Sequence, residues 1–369
     1  MAASGEPSHS RRVKHLVAIP LAVASLTLAA CGSAEPAPGP VPATPSVAPP
    51  VVSVAGDRTE GLVSPWGLVA LPDGSALVSE RDTRRIVQVD ADGGQVEATV
   101  IEQAVPDGEG GLLGIAVDPT GTWLYAYVTA AEDNRVIRMP LDDLSGTREE
   151  ILTGIPKAGI HNGGRIAFGP DGMLYVATGD AAVPELAQDG ESLAGKILRV
   201  DPEGAVPAGN PFPGSPVWSL GHRNVQGLAF DSQGRLWATE FGSKDADELN
   251  LIEPGANYGW PVVEGTGTDP AYVNPQAQWS PTSLASPSGL AIVDDVAYVA
   301  SLRGEVVWQV PLVGDRAGVP LALDLGDLGR LRTIEALPDG SLWLVTSNTD
   351  GRGDPRDADD RILVLKVSA

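Results

Sequence analysis

The sequence is poor in cysteine, aromatic residues and positive charge. One cysteine in 369 residues excludes a disulfide framework and any zinc site built from several thiolates of the same chain. Aromatic residues make up only 5% of the chain, whereas 44 glycines and 32 prolines supply many turns, and this composition argues against a helical bundle or coiled coil. Lysine and arginine number 25 against 48 acidic residues, so the net charge is −23. Such a chain repels a phosphate backbone, and nucleic-acid binding is excluded.

The N-terminal segment accounts for the single cysteine. A basic stretch at residues 11–14 precedes an apolar run at residues 16–29, and small residues then lead to Cys31. This order is typical of a bacterial lipoprotein signal peptide, exported by either the general or the twin-arginine route. We therefore predict removal of residues 1–30 and a lipid on Cys31 that anchors the protein to the membrane outside the cytoplasm. A membrane-spanning anchor is the alternative, but the run is short for a span of about 20 residues.

Residues 31–50 are predicted to form a disordered tether. After the cysteine this stretch consists mainly of proline and small residues, which contribute almost nothing to a packed core. The folded domain is therefore expected over residues 51–369. Hydrophobic residues make up 43% of the chain, enough for a large core.

The folded region contains six copies of one pattern. Each copy has a short apolar strand, a turn such as Pro-Asp-Gly, a second apolar strand and, after a loop, a third strand. The copies begin near Gly67, Gly114, Arg165, Gly227, Ser288 and Thr333. Proline and glycine supply the dihedral angles of tight turns, and one unit alone cannot bury its strands. A repeat of about 50 residues with three or four strands predicts an all-β protein, a six-bladed β-propeller, in which residues 51–58 complete the last blade.

Two histidines lie in the folded region, and each comes directly before the first strand of a repeat. His161 precedes the third repeat and His222 the fourth, where loops at the mouth of the central channel are expected. A histidine titrates near pH ~6.5 and suits proton abstraction at neutral pH, although a loop histidine is more often only a hydrogen-bonding residue. Arg223, Asn224 and Gln226 accompany His222 as a dense polar group among apolar repeats.

The motifs around these residues resemble a known family. In chain order they are Glu109-Gly-Gly-Leu-Leu-Gly, His161-Asn-Gly-Gly-Arg, Leu193-Ala-Gly-Lys-Ile-Leu-Arg, Gly221-His-Arg-Asn-Val-Gln-Gly-Leu, Asp247-Glu-Leu-Asn with Asn257-Tyr-Gly-Trp-Pro, and Gly329-Arg-Leu-Arg. As a set they are similar to the soluble aldose sugar dehydrogenases that use pyrroloquinoline quinone (PQQ), the glucose and sorbosone dehydrogenase family. The resemblance implies a six-bladed propeller, in agreement with the repeats. It also implies oxidation of the anomeric carbon of aldose sugars to lactones.

The resemblance assigns roles to individual residues. His161 matches the general base that takes the proton of the anomeric hydroxyl while a hydride passes to the cofactor. The residues that match cofactor-binding positions are Glu109, Arg223, Asn224, Arg303, Arg330 and Arg332. Arginine suits a cofactor with three carboxylates, because guanidinium binds carboxylate through two hydrogen bonds. Glu109 stands where the family usually has glutamine, and Arg303 lies near the position of a family lysine.

Calcium is implied at two places by the same resemblance. Asp247, Glu248 and Tyr258 match ligands of a structural calcium ion, for which hard oxygen donors are suitable. Gly242 and Ser243 match a Gly-Pro pair whose backbone carbonyls hold a second calcium beside the cofactor, with serine here replacing the proline.

Two further groups of residues are given structural roles. The aspartates near the C-terminus are expected to form an exposed insertion between the last strands, with a further calcium loop as the alternative. They are Asp350, Asp354, Asp357, Asp359 and Asp360. The tryptophans are expected mostly to pack between blades, including Trp66 before the first repeat.

Three functions are compatible with the sequence. The first is a lipid-anchored PQQ-dependent aldose dehydrogenase with an unidentified electron acceptor. The second is a cofactor-free propeller lipoprotein that binds a ligand or partner, and the third is a metal-dependent lactonase on a similar propeller. His161 and the arginine pair Arg330 and Arg332 favour the first, because a binding module does not need them.

Overall fold

The structure is a computed structural model that describes residues 49–368, and regular structure in this range is almost entirely β-strand. The predicted signal peptide, Cys31 and nearly all of the tether lie outside the described residues. In the range from residue 49 to residue 368, no helix is long and apolar enough to cross a membrane. Two short 3-10 helices, Pro184–Ala187 and Thr282–Leu284, are the helical segments of this range.

The strands form six antiparallel sheets. The first contains β2 (Pro65–Ala70), β3 (Ala76–Glu80), β4 (Arg85–Val89) and β5 (Gln95–Val100). The second contains β6 (Leu112–Val117), β7 (Trp123–Thr129), β8 (Asn134–Pro140) and β9 (Glu149–Ile155), and the third contains β10 (Ile166–Phe168), β11 (Leu174–Ala177), β12 (Lys196–Val200) and β13 (Val217–Leu220). The fourth contains β14 (Val225–Phe230), β15 (Leu236–Glu240), β16 (Asp247–Ile252) and β17 (Ala277–Trp279). The fifth contains β18 (Pro287–Val293), β19 (Val296–Ser301), β20 (Val307–Val313), β21 (Arg316–Ala317) and β22 (Leu321–Leu323). The sixth contains β23 (Leu331–Ala336), β24 (Leu342–Thr346), β25 (Ile362–Ser368) and β1 (Val51–Thr59).

The six sheets are the blades of a closed ring. The first strand of each repeat is the innermost one, and each innermost strand contacts that of the next blade, with β23 in contact with β2. Strand β1 pairs antiparallel with β25, from Val51 opposite Ser368 to Thr59 opposite Ile362. The predicted six-bladed β-propeller is confirmed, and so is the closure of the last blade by the N-terminal strand.

Apolar side chains hold neighbouring blades together. Leu77 and Leu124, from the first and second blades, belong to one buried cluster. Trp237 and Trp279 of the fourth blade are buried with Val299 of the fifth, as predicted for most of the tryptophans. Burial of one such side chain stabilises the fold by about 1.5 to 3 kcal/mol.

The glycines of the repeat lie where two blades approach most closely. A Cβ atom on Gly114 would lie 2.3 Å from the carbonyl oxygen of Gly164 in the next blade. A Cβ atom on Gly227 would lie 2.4 Å from the carbonyl oxygen of Ser288. Both distances are shorter than a van der Waals contact, so the packing of the inner strands requires glycine at this point of the repeat.

Local irregularities direct side chains of the inner strands into the channel. Near the starts of β2, β14 and β23 the strand pairing shifts by one residue, and the residues left out are Trp66, Gln226 and Arg332. A bulge of this kind bends the strand and turns a side chain in a new direction. All three side chains line the same cavity at this end of the channel.

Candidate active site

A cavity of about 360 Å³ lies at the end of the channel where the inner strands begin. Its charged lining residues are the arginines Arg81, Arg303, Arg330, Arg332 and Arg352 and the carboxylates Glu109 and Asp350. The structure thus brings together four of the predicted cofactor residues, which are Glu109, Arg303, Arg330 and Arg332. Arginines outnumber carboxylates here although the chain as a whole has a net charge of −23. The cavity is therefore suited to an anionic ligand.

Arg330 and Arg332 share one carboxylate. Asp350 Oδ2 accepts hydrogen bonds from Arg330 Nη2 at 2.9 Å and from Arg332 Nη2 at 3.4 Å. Burial opposes ionisation of Asp350, but Arg332 and Arg330 outweigh it and hold the pKa of Asp350 below its ordinary value. Burial lowers the pKa of Arg332 to about 9, and its Nε atom is buried without a hydrogen-bond partner among the described residues.

Asp350 corrects one expectation from the sequence. The acidic stretch was expected to be an exposed insertion, but Asp350 and Asp360 are buried. Asp360 Oδ1 accepts hydrogen bonds from the backbone N–H of Asn348 at 2.6 Å and from the hydroxyl of Thr346 at 2.9 Å. The expectation was wrong for these two residues because their carboxylates satisfy donors inside the last blade.

His161 lies next to Glu109 of the cavity, and its two ring nitrogens have different partners. Its Nε2 atom is 2.9 Å from Arg223 Nη2, and its Nδ1 atom is 2.8 Å from Asp180 Oδ1. A guanidinium group only donates hydrogen bonds, so Nε2 accepts and Nδ1 carries the proton that it donates to Asp180. The imidazole is therefore neutral, with a lone pair on Nε2. This is the atom at which His161 can accept a proton.

Asp180 is a functional residue that the sequence motifs did not indicate. Its side chain is fully buried and also accepts hydrogen bonds from Trp260 Nε1 at 2.8 Å and from the backbone N–H of Ala182 at 2.8 Å. These contacts fix the carboxylate, and the carboxylate fixes the imidazole of His161. No motif surrounds Asp180 in the sequence, so only the fold shows its position next to His161.

Arg223 and Asn224 contact the His161 loop instead of lining the arginine-rich cavity. Arg223 Nη1 donates to the carbonyl oxygen of Phe241 at 3.2 Å, and Asn224 Oδ1 accepts the backbone N–H of Gly163 at 3.0 Å. Arg223 Nε and Asn224 Nδ2 are buried and lack a hydrogen-bond partner among residues 49–368. Buried donors without partners are costly, so these two N–H groups are available to a ligand.

Trp66 and His222 differ from what their sequence positions suggest. Trp66 lines the cavity and does not simply pack between blades, and the guanidinium groups of Arg165 and Arg332 lie 4.4 and 5.7 Å from the centre of its ring. His222 is fully buried, stacked on Tyr258, and hydrogen-bonded through Nδ1 to Glu240 Oε2 at 2.8 Å. The role of His222 is structural, because its ring is fully buried, stacks on Tyr258 and has a hydrogen-bond partner at each nitrogen.

The loop that contains Gly242 and Ser243 is organised around one carboxylate. Glu264 Oε1 accepts the backbone N–H groups of Ser243, Lys244, Asp245 and Ala246 at 2.6 to 3.2 Å. No described donor bonds the carbonyl oxygens of Gly242 and Ser243. These two carbonyls are the groups that the resemblance assigns to a cation.

The structure separates Asp247 from Glu248 and Tyr258, the other two residues predicted for a structural calcium. Asp247 and Glu248 are consecutive in β16, so their side chains lie on opposite faces of the sheet. Asp247 accepts the backbone N–H groups of Gly242 at 2.8 Å and Ser286 at 2.7 Å. The hydroxyl of Tyr258 donates to the carbonyl oxygen of Leu251 at 2.6 Å. Among residues 49–368, no cluster of three or more His, Cys, Asp or Glu side chains is arranged as a metal site.

Glu248 nevertheless borders a small cavity that several acidic groups share. Glu248, Glu240, Glu264 and Tyr258 line a cavity of about 10 Å³, enough for one water molecule or ion. Burial raises the pKa of Glu248 to about 8, and the nearby Glu240 adds to this effect. Burial likewise raises the pKa of Asp247 to about 7. A cation in this cavity would favour ionised carboxylates.

The opposite end of the channel holds a second cavity of about 410 Å³. Apolar residues of the inner strands line it, together with Arg165 and Glu335. Arg165 donates to the carbonyl oxygen of Gln226 at 2.8 Å and to Thr333 Oγ1 at 2.9 Å. Burial raises the pKa of Glu335 to about 7, although Arg165 opposes the shift.

Fold and site together define an enzyme-like propeller, in which a histidine hydrogen-bonded to an arginine lies next to an arginine-lined cavity at one end of the channel. The chain belongs to the Glucose / Sorbosone dehydrogenase family, whose sequence profile matches residues 62–363. The predicted family is confirmed.

Several proteins of known name are similar to this chain. The PQQ-bound aldose sugar dehydrogenase of Streptomyces coelicolor is 51% identical, with a TM-score of 0.83, over 87% of this chain and 100% of that one. The aldose sugar dehydrogenase YliI of Escherichia coli is 28% identical over 78% of this chain and 88% of its own length. Quinoprotein glucose dehydrogenase B of Acinetobacter calcoaceticus is 33% identical over 70% of this chain, and the match spans 63% of that protein.

Proposed function

We propose that this protein is a PQQ-dependent dehydrogenase that oxidises the anomeric carbon of aldose sugars to lactones. The observation that carries the proposal is the position of His161, whose Nε2 accepts from Arg223 and whose backbone N–H donates to Glu109 of the arginine-lined cavity. The PQQ-bound relative at 51% identity and the two dehydrogenases named above support the same cofactor and substrate class.

The residues of the cavity fit the cofactor. Its carboxylates require several cationic donors, and Arg330 and Arg332 supply bidentate groups at the end of the channel. The buried Nε–H of Arg332, which has no described partner, is a further donor in the cavity, and Arg223 and Asn224 offer similar N–H groups near His161. Bound there, the cofactor would supply the quinone that accepts a hydride from the sugar.

The catalytic work of the chain itself is assigned to three side chains. His161 takes the proton of the anomeric hydroxyl at Nε2 and becomes positively charged. Asp180, which accepts a hydrogen bond from Nδ1–H, stabilises that charge and keeps the ring in one orientation. Arg223 lies 2.9 Å from Nε2, so it must yield this position to the substrate hydroxyl and can then donate to a substrate oxygen.

Calcium belongs to the proposal at two places. The carbonyl oxygens of Gly242 and Ser243 have no described donor and would bind a cation that carboxylates of the cofactor help to hold. Glu248 is the candidate ligand for the second ion, because it borders the small cavity and a cation there would counter the effect of burial and of Glu240 on its pKa. Asp247 is then a support for the Gly242 loop and not a direct ligand.

The location of the enzyme is part of the proposal as well. A signal peptide over residues 1–30 and a lipid on Cys31 would place the propeller outside the cytoplasm on a tether. Electrons would pass to a soluble or membrane acceptor of unspecified chemistry.

A reconstitution experiment tests the proposed function. Purified protein is titrated with PQQ in the presence of calcium, and the visible absorption spectrum is followed before and after addition of an aldose. We expect saturable binding, bleaching of the oxidised cofactor by sugar and release of a lactone, with bleaching lost in His161→Ala. Absence of binding would favour the cofactor-free module, and lactone hydrolysis without sugar oxidation would favour the lactonase.

A further inference from the structure

Glu109 lies between the His161 loop and the loop that carries Arg352. Its Oε2 atom accepts the backbone N–H of His161 at 2.9 Å, and its Oε1 atom is 2.9 Å from Arg352 Nη1. The side chain of Glu109 is 17% exposed and that of Arg352 is 56% exposed, so the ion pair lies at the mouth of the cavity. Each carboxylate oxygen therefore serves a different loop.

The contact with His161 acts on a constrained backbone. His161 has φ 58°, in the left-handed region, which is uncommon for residues other than glycine although histidine is among those enriched there. The neighbouring backbone is tied to the same segment, since the N–H of Glu109 donates to the carbonyl oxygen of Gly159 at 2.9 Å. An acceptor placed on the N–H of His161 stabilises this turn, and the turn sets the direction of the imidazole.

The contact with Arg352 leads to the arginine pair. The backbone N–H of Arg352 donates to Asp350 Oδ1 at 2.9 Å. The other oxygen of Asp350 accepts from both Arg330 and Arg332. The backbone of His161 is thus linked to the two arginines through Glu109, the side chain and backbone of Arg352, and Asp350.

The negative charge of Glu109 neutralises Arg352 in this arrangement. A glutamine at this position could accept the N–H of His161 through its amide oxygen, but it could not neutralise Arg352. An unpaired carboxylate would weaken anion binding in the cavity, and pairing with Arg352 removes that penalty.

We propose that Glu109 is a positioning residue for His161, and that its ion pair with Arg352 couples the His161 turn to the arginines that bind the cofactor. The effect of Glu109 on catalysis rests on the proposed function, whereas the coupling between the His161 turn and the arginines does not. Occupation of Arg330 and Arg332 by an anion would loosen their hold on Asp350, and the change would reach His161 through Arg352 and Glu109.

The first test uses the cofactor-free protein. Hydrogen exchange of the amides of residues 159–164 is measured in the wild type, Glu109→Gln, Glu109→Ala and Arg352→Gln. We expect exchange at His161 to be about ten-fold faster in Glu109→Ala, which lacks the acceptor, and to change less in Glu109→Gln. If the His161 amide of Glu109→Ala exchanges at the same rate as that of the wild type, the positioning role is overturned. If Glu109→Ala does not fold, Glu109→Gln combined with Arg352→Gln still tests the coupling below.

The second test is a double-mutant cycle on thermal stability. Glu109→Gln and Arg352→Gln are expected to be non-additive, because each removes the same ion pair. The matched control is the exposed pair Arg84 and Glu102, whose charged atoms are 3.1 Å apart and which does not line the cavity. The corresponding glutamine variants of that pair should be nearly additive. Additivity at positions 109 and 352 would overturn the coupling.

The third test separates this inference from the proposed function. At saturating cofactor, Glu109→Ala should lower kcat by about ten-fold or more, whereas Arg352→Gln should act mainly on the dissociation constant of PQQ and reduce its salt dependence. Faster exchange and non-additivity without any sugar oxidation would overturn the dehydrogenase and leave the coupling intact. Sugar oxidation with unchanged kcat in Glu109→Ala would overturn the positioning role alone.

Discussion

Arg223 Nη2 lies 2.9 Å from His161 Nε2, and this contact determines which nitrogen of the imidazole is free to accept a proton. Because the guanidinium donates, the ring proton resides on Nδ1 and faces Asp180. The orientation and the tautomer of His161 are thus set before any ligand arrives. Preorganisation of this kind reduces the rearrangement needed in the reaction.

Replacement of Asp180 by asparagine should disable the base. Oδ1 of Asp180 accepts from His161 and Ala182, and Oδ2 accepts from Trp260, so an amide NH2 group would face a donor in either orientation. We expect Asp180→Asn to lower kcat by about 10²- to 10⁴-fold with a smaller effect on PQQ binding. The matched control is Asp118→Asn, at a carboxylate that also accepts backbone N–H groups but lies in a turn outside the cavity. Wild-type turnover in Asp180→Asn would contradict the assignment.

Arg330 and Arg332 should determine cofactor affinity. Removal of either guanidinium takes away a charge-assisted contact and leaves Asp350 with one partner fewer. Arg330→Ala and Arg332→Ala are each expected to weaken PQQ binding by roughly 10- to 100-fold, since such contacts contribute about 1.5 to 3 kcal/mol. Arg330→Lys should restore only part of the affinity because it cannot bind in a bidentate manner. Fluorescence titration of the cofactor-free variants measures the effect, and unchanged dissociation constants would rule out this location.

Calcium should stabilise the fold through Glu248. An ion that binds only the folded state raises the melting temperature by mass action, and Glu248→Gln removes a charged ligand candidate from the small cavity. We expect this variant to lose the calcium dependence of its melting temperature, with less effect on turnover at saturating calcium. Ser243→Ala keeps the backbone carbonyl and serves as the control. A wild-type melting curve that does not respond to chelator would show that this cavity holds no calcium.

Glu335 should make stability depend on pH in a definite direction. Its pKa is raised from 4.5 to about 7, so the folded state binds a proton more tightly than the unfolded state. The favourable contribution is complete below pH 4.5 and is lost as the pH rises toward about 7. Glu335→Gln should therefore become more stable than the wild type as the pH increases, by about 1 to 3 kcal/mol at pH 8. Melting curves between pH 4 and 8 test this, with the exposed Glu97→Gln as a control; parallel curves for Glu335→Gln and wild type would contradict it.

The fold was largely predictable because its signal is local and repeated. Each copy of the strand and Pro-Asp-Gly pattern can be recognised within a few residues of sequence. The apolar segment at residues 51–58 lies outside the six copies, which predicts that it completes the last blade. The close approaches at Gly114 and Gly227 give the repeated glycine its physical reason. The shifts in strand pairing that turn Trp66 toward the cavity are not visible in the sequence, since they depend on the partner strand.

The site was only partly predictable because its contacts join distant parts of the chain. His161 and the arginine pair belong to motifs, but Asp180 lies outside the motifs and Asp350 belongs to an acidic stretch whose composition predicts exposure to solvent. Asp350 is buried because two arginines more than fifteen residues away share its carboxylate. Asp247 and Glu248 are adjacent in their motif, but the strand places their side chains on opposite faces of the sheet, and this separation follows from the fold and not from the motif.

The bulges at the starts of the inner strands have an evolutionary consequence. Trp66, Gln226 and Arg332 are each skipped by the pairing of their own strand, so exchanging one of them leaves the ladder in register. The chemistry of the cavity can therefore change by single substitutions while the scaffold is conserved. Each of these substitutions would alter the ligand that the cavity prefers without altering the strand pairing of the blade that carries it.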